Sequence, residues 1–95
     1  MVKNIKEDEF LDVINDKDIV LVDFYADWCG PCRMLSEVLD LIDAKVYKIN
    51  VDLCPDLARK YGIMSIPCVI SFKEGKEYKR SIGLVEKETL EELLK

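Results

Sequence analysis

Ile19-Val20-Leu21-Val22-Asp23-Phe24-Tyr25-Ala26 runs through Asp27 into Trp28-Cys29-Gly30-Pro31-Cys32, and this junction decides the fold. Its first half is a near-continuous apolar run of β-branched and aromatic residues, as expected of a strand buried on both faces. From Cys32 to Asp43 the apolar residues Leu35, Val38, Leu39, Leu41 and Ile42 recur with helical spacing. Pro31 suits the first helical position, where its missing N–H costs nothing and its fixed φ is already helical. Two thiols therefore stand where a buried strand gives way to a helix. Cys29 falls just ahead of that helix and Cys32 in its first turn.

This placement suits dithiol–disulfide exchange. Unpaired backbone N–H groups and the positive end of the helix dipole favour an anion, so a thiol here ionises more readily than a free cysteine. Cys29, outside the helix, is expected to be exposed and nucleophilic. Cys32, one turn in, is expected to be shielded and to break the mixed disulfide. Gly30 is expected to let the turn close tightly enough to bring the sulfurs together. A structural zinc knuckle would also use a Cys-x-x-Cys pair, but zinc wants four ligands. The chain has no histidine and offers only Cys54 and Cys68 besides, far apart in sequence. No metal is expected.

The 95 residues, 49% of them hydrophobic, suffice for one domain spanning 1–95 with a modest core. No segment approaches the length of a membrane span. The first residues, Met1-Val2-Lys3-Asn4-Ile5-Lys6-Glu7-Asp8, lack the apolar stretch of a signal peptide. The expectation is a cytoplasmic monomer, in a reducing compartment where four cysteines do not form two structural disulfides. A net charge of −5 argues against nucleic acid and anionic membranes as partners. Lack of histidine excludes Cys–His hydrolase pairs and histidine metal sites. Any base that serves the thiols must be a carboxylate, a lysine or water.

The rest of the chain reads as alternating strands and helices with no repeat or linker. A short strand is expected at Val2–Ile5. A helix follows over Glu7–Asn15, with Phe10, Leu11, Val13 and Ile14 on one side. Strand 19–25 and helix 32–43 lead to a strand at Val46–Val51 and a short helix from Pro55 to Tyr61, with Gly62 as its C-cap. Val69–Phe72 and Glu77–Ile82 form a hairpin turning at Glu74-Gly75-Lys76. Glu86–Lys95 closes as a helix with Leu90, Leu93 and Leu94 inward. The hairpin must be antiparallel, and the helix-linked strands are expected to be parallel.

Taken with Val22-Asp23-Phe24, Asn50-Val51-Asp52, Tyr61-Gly62-Ile63, Ser65-Ile66-Pro67 and Gly83, the Trp28-to-Cys32 motif closely resembles the thioredoxin family nearly end to end. The resemblance implies an α/β thioredoxin fold, a central mixed sheet of about five strands flanked by about four helices. It implies a protein-disulfide reductase without a cofactor of its own, an electron carrier recharged by a thioredoxin reductase and serving disulfide-containing client proteins in cell redox homeostasis. On this resemblance Cys29 is the attacking thiolate and Cys32 the resolving thiol, with Gly30 and Pro31 between them. Asp23 is the buried aspartate that takes the proton of the second cysteine. The residues agree in kind, because burial of a lone carboxylate in an apolar strand raises its pKa toward neutrality. Asp23 would otherwise end the strand and cap a turn. Lys48 corresponds to the lysine that partners this aspartate; by itself it would read as a solvated strand-edge lysine. Pro67 corresponds to a cis-proline, although an X–Pro bond is ordinarily trans. A cis bond there would present the backbone of Ile66 to an extended peptide. Trp28, residues 62–66 and Gly83 would complete an apolar docking face. Away from an exposed cysteine Trp28 would read as core, and Gly83 as a turn glycine.

The chain departs from the family pattern in places. Tyr25 stands where tryptophan is frequent, the segment Asp43-Ala44-Lys45 is short, and Glu86 replaces a hydroxyl N-cap. Cys68 is expected to be a small buried hydrophobe, or else a thiol near the redox pair. Cys54, ahead of Pro55, would be reactive if exposed at a helix N-terminus. Two rival functions remain beside the reductase and a dedicated reductant for one client. One is a disulfide oxidase or isomerase of the same fold, disfavoured by Gly30-Pro31. The other is a redox-independent binding subunit that uses the docking face alone.

Overall fold

Strand β2 (Val20–Tyr25) supplies the axis of the molecule: every residue from Val20 to Phe24 is fully buried. The computed structural model describes all of residues 1–95. Around β2 stand β1 (Val2–Asn4), β3 (Lys45–Asn50), β4 (Cys68–Lys73) and β5 (Lys76–Ile82), in the order β1-β3-β2-β4-β5. The helices are α1 (Phe10–Ile14), α2 (Gly30–Leu39), α3 (Pro55–Lys60) and α4 (Lys87–Glu92). None is long and apolar enough to cross a membrane. This is the mixed five-stranded sheet with four helices expected of a thioredoxin fold.

The two-residue period of β2 divides the core. Val20, Val22 and Phe24 face one side, packed with Ile49, Ile70 and Phe72 beneath Phe10 and Ile14 of α1 and Leu57 of α3. Leu21 faces the other side, with Val46 and Val69, beneath Leu35 and Leu39 of α2 and Leu90 and Leu93 of α4. Each fully buried side chain of this size contributes roughly 1.5–3 kcal/mol from apolar burial. Asp23 shares the parity of Leu21 and so points beneath α2, the helix that carries Cys32.

One expectation about direction is corrected. β1 and β2 run parallel to β3, but β4 runs antiparallel to β2 although α3 links it to β3. The six residues of α3 span about 9 Å. A six-residue strand spans about 20 Å. The connection therefore never returns the chain to the far edge of the sheet. Cys68 enters opposite Phe24, near the edge where β3 ends, and must run back. The β4–β5 hairpin is antiparallel as expected, turning at Glu74 (φ 51°) and Gly75 (φ 85°).

Helix limits also shift. The expected first helix is a 3-10 turn at Glu7–Glu9 followed by α1, which buries Phe10 and Ile14 but leaves Leu11 exposed. Positions i and i+4 share a face, and Leu11 lies off it. α2 begins at Gly30 and ends at Leu39, short of Asp43. Beyond it Leu41 and Ile42 donate to the carbonyls of Val38 and Leu39, a tighter winding that buries Ile42 and turns Leu41 outward.

Gly62 ends α3 at φ 63°, with its N–H bonded to the Arg59 carbonyl and the Ile63 N–H to that of Ala58. These are the paired bonds of a Schellman motif. A Cβ at Gly62 would meet nothing within 4 Å, so the cost of Gly62→Ala is backbone strain alone. Chemical denaturation is expected to show a loss of about 1–2 kcal/mol. An unchanged midpoint would contradict the cap.

Candidate active site

The sheet edge at the end of β2 delivers the chain from Tyr25 to the start of α2, and the two thiols meet there. Cys29 is the N-cap and Cys32 lies in the first turn; they are joined as a disulfide with Cα atoms 5.2 Å apart. The Cys32 N–H donates to Cys29 Sγ at 3.2 Å. That bond aims one of the unpaired donors of the helix terminus at the sulfur, where it favours negative charge. Pro31 occupies the second helical position, one later than expected.

Two expectations at this turn are corrected. Cys29 is only 4% exposed, because it packs with Ala26, Val51 and Ile66 and its Sγ lies 3.9 Å from the Ile66 carbonyl oxygen. Gly30 needs no special backbone. It is not among the glycines with positive φ, and a Cβ would touch only Arg33 Nη2 at 3.9 Å. The turn is ordinary helical backbone, open to any L residue.

Asp23 is fully buried, and neither carboxyl oxygen has a hydrogen-bond partner. Burial pushes its pKa up to about 7, with the Lys48 ammonium pulling the other way. It does not cap a turn. Lys48 Nζ stands 3.9 Å from Asp23 Oδ2, from the neighbouring strand in register with it. Lys48 is no edge lysine, since β3 has strands on both sides. Its ammonium donates to Ser36 Oγ at 2.9 Å and sits 4.6 Å from the centre of the Tyr25 ring. A cavity of about 330 Å³ reaches Cys32 here, lined also by Ser36, Lys48, Glu37 and Asp40.

On the other side of the disulfide the surface is apolar. Trp28 is 69% exposed, its ring fixed by an Nε1–H donation to Asp52 Oδ2 at 2.9 Å. A shallow groove of about 200 Å³ runs between Trp28, Val51, Ile63, Met64, Ser65 and Ile66. The Ile66–Pro67 bond is cis. Gly83, at φ 90°, donates its N–H to the Pro67 carbonyl at 2.8 Å, which holds the start of β4 against the end of β5.

The other cysteines lie elsewhere. Cys68 is buried and faces the α1 and α3 side of the sheet, opposite α2, and burial pushes its thiol pKa up. Cys54 is buried too. Its thiol pKa is raised by burial first and then by the Glu7 carboxylate, which overturns the exposed, readily ionised thiol considered above. No three His, Cys, Asp or Glu side chains converge as metal ligands.

Two neighbours of the site escaped the sequence reading. Ser36 lies one helical turn after Cys32, so i, i+4 spacing was a usable signal. Asp52 stood in a quoted motif without a role. Met64, 96% exposed beside Trp28, falls within residues 62–66, the stretch expected to help form the docking face.

Comparison with known proteins gives a consistent family. The model of the thioredoxin family matches residues 1–95. A thioredoxin of Chlamydia muridarum is 43% identical over 99 aligned residues, covering 99% of this chain and 96% of its own. A thioredoxin of Porphyra purpurea is 51% identical across 87% of this chain and 83% of its own. Among solved structures, a mutant thioredoxin from Halobacterium salinarum superposes with a TM-score of 0.90 at 39% identity, covering 98% of this chain and 87% of that one.

The buried carboxyl has a consequence for stability. Asp23 ionises near 3.8 in the unfolded chain and near 7 in the folded one, so between these values the folded state binds the extra proton. Its contribution is therefore fully present below about pH 4 and lost as the pH climbs through 7, by roughly 4 kcal/mol at most. Asp23→Asn is expected to flatten this part of the stability profile, raising the denaturation midpoint relative to wild type more at pH 8 than at pH 4. An equal difference at both pH values would contradict the burial of an ionisable group here.

Proposed function

This chain belongs to the thioredoxin family and is a thiol–disulfide oxidoreductase, and on that footing we propose an assignment of the steps of its dithiol–disulfide exchange. The observation that carries the assignment is the Cys29–Cys32 disulfide lying across the N-terminus of α2, with the Cys32 N–H directed at Cys29 Sγ. In the reduced protein that donor stabilises a thiolate on Cys29. Cys29 sulfur attacks one sulfur of a substrate disulfide, forms a mixed disulfide and expels the other as a thiolate, which takes a proton from solvent. Cys32 then loses its proton, and its thiolate attacks Cys29 Sγ. The second substrate thiolate leaves, two electrons have passed to the substrate, and the Cys29–Cys32 disulfide remains.

Asp23 accepts the Cys32 proton in this scheme. A carboxyl that titrates near 7 is divided between its two forms at neutral pH, which suits a group that must take a proton and release it. Lys48 lines the cavity that reaches Cys32 and stands 3.9 Å from Asp23 Oδ2, while Asp23 itself does not line it.

The docking face is the apolar surface around Trp28, Ile66, Pro67 and Gly83. An extended segment carrying the substrate disulfide lies against the Ile66 backbone, as an added strand would, with side chains over Trp28 and Met64. A thioredoxin reductase restores the dithiol, so that the protein carries electrons from that enzyme to the disulfides of client proteins. A monomer in the reducing cytoplasm suits this cycle. A redox-independent binding subunit is not favoured, since docking alone has no use for paired thiols at a helix N-terminus above a buried carboxyl.

Insulin-disulfide reduction by the dithiothreitol-reduced protein tests the assignment. Cys29→Ser is expected to fall to the uncatalysed background. Cys32→Ser is expected to stop after one encounter, holding insulin in a mixed disulfide on Cys29. Normal turnover by Cys32→Ser would refute the division of roles.

A further inference from the structure

Lys48 lies in register with Asp23 on the adjacent strand, yet its ammonium does not bond to the carboxylate. The separation of 3.9 Å is beyond hydrogen-bond range, and both Asp23 oxygens stay unpartnered. A buried carboxylate and an ammonium this close gain strongly from a direct charge-assisted bond. Two contacts hold them apart. The ammonium donates at 2.9 Å to Ser36 Oγ on α2, and the Tyr25 ring lies on its other side at 4.6 Å. Ser36 is the one hydrogen-bond acceptor that Lys48 Nζ is seen to use.

We propose that Ser36 is a positioning residue that parks the Lys48 ammonium one hydrogen bond away from Asp23, and so sets the pH at which Asp23 exchanges its proton. This deepens the reading of Asp23 as the acceptor for Cys32 and rests on it for its catalytic meaning, although the positioning itself does not. A Lys48 released from Ser36 closes on Asp23 Oδ2 and holds it as a carboxylate. Such a carboxylate is fully paired and a weaker proton acceptor near neutrality.

The other charged or titratable groups of this region are Cys32, Arg33 and Glu37 of α2, Asp40 just beyond its end, Asp27 of the connecting loop and Tyr25 of β2. β4 and α4 bring Val69, Leu90 and Leu93 to this side of the sheet, and β1 brings Asn4, whose amide donates to the Tyr25 hydroxyl. The other carboxylates near the ammonium are Glu37 of α2, Asp40 just beyond its end and Asp27 of the connecting loop. All three are exposed to water, where an ion pair gains little. The buried carboxylate is the stronger attractor.

The test is a carboxyl-carbon NMR titration of Asp23 in the disulfide form, where no active-site thiol titrates, for wild type, Ser36→Ala and Ser36→Thr. Ser36→Ala is expected to move the Asp23 midpoint toward acid by on the order of one pH unit. Ser36→Thr, which keeps the hydroxyl, is expected to titrate as wild type does. An unmoved midpoint in Ser36→Ala, or a shift toward alkali as Lys48 leaves for solvent, would overturn the proposal. The pH profile of mixed-disulfide resolution is measured on the same variants. If the titration moves while that profile does not, Ser36 positions Lys48 as proposed and the assignment of Asp23 as proton acceptor is what fails.

Discussion

A stretch of strand that shows nothing to water on either face must be covered on both, and Val20 to Phe24 of β2 impose that condition on the other elements. α1 and α3 cover Val20, Val22 and Phe24, while α2 and α4 cover Leu21. The exit of β2 then lies at the sheet edge where α2 begins, so a helix N-terminus is fixed above the strand end. Within that frame the one polar residue of the buried stretch, Asp23, has no escape from the interior. Its unpaired carboxyl and the thiol pair at the helix terminus are two results of one packing constraint.

The two faces of the disulfide differ in chemistry, and this asymmetry gives the site a direction. Toward Cys29 lie Ile66 and the exposed ring of Trp28, surface suited to another polypeptide. Toward Cys32 lies a small polar cavity with Ser36, Lys48 and carboxylates. In the proposed exchange a substrate sulfur meets one side, and protons move on the other. The low exposure of Cys29 is compatible with this division. Closed against Cys32, Cys29 packs with Ile66 and Val51, two of the residues that line the groove beside Trp28.

Much of this was legible in the chain. The apolar run of β2, the helical spacing after Cys32 and the glycine after Tyr61 each name their element, because burial, periodicity and positive φ leave local marks. The direction of β4 left no such mark; it depends on how far α3 travels, a property of three-dimensional length. The exposure of Cys29 and of Cys54 was misread for a related reason. Position relative to a helix end is local, whereas the covering side chains come from Ile66 and Val51 in one case and from the core beneath α1 and α3 in the other. Gly30 shows the converse error, a residue given a conformational task when the helix start needs none. Asp23 and Lys48 were legible as candidates, but the hydroxyl that separates them was not. Its role exists only once α2 lies over β3.

Position at the start of α2 gives the two thiols unequal character. Residue-resolved alkylation of the reduced protein with iodoacetamide across a pH series tests it most directly. Cys29 is predicted to label first, with a midpoint well below the free-cysteine value of about 8.5, while Cys32 stays unmodified. Equal labelling of the two, or Cys32 labelling ahead of Cys29, would contradict this difference between the thiols.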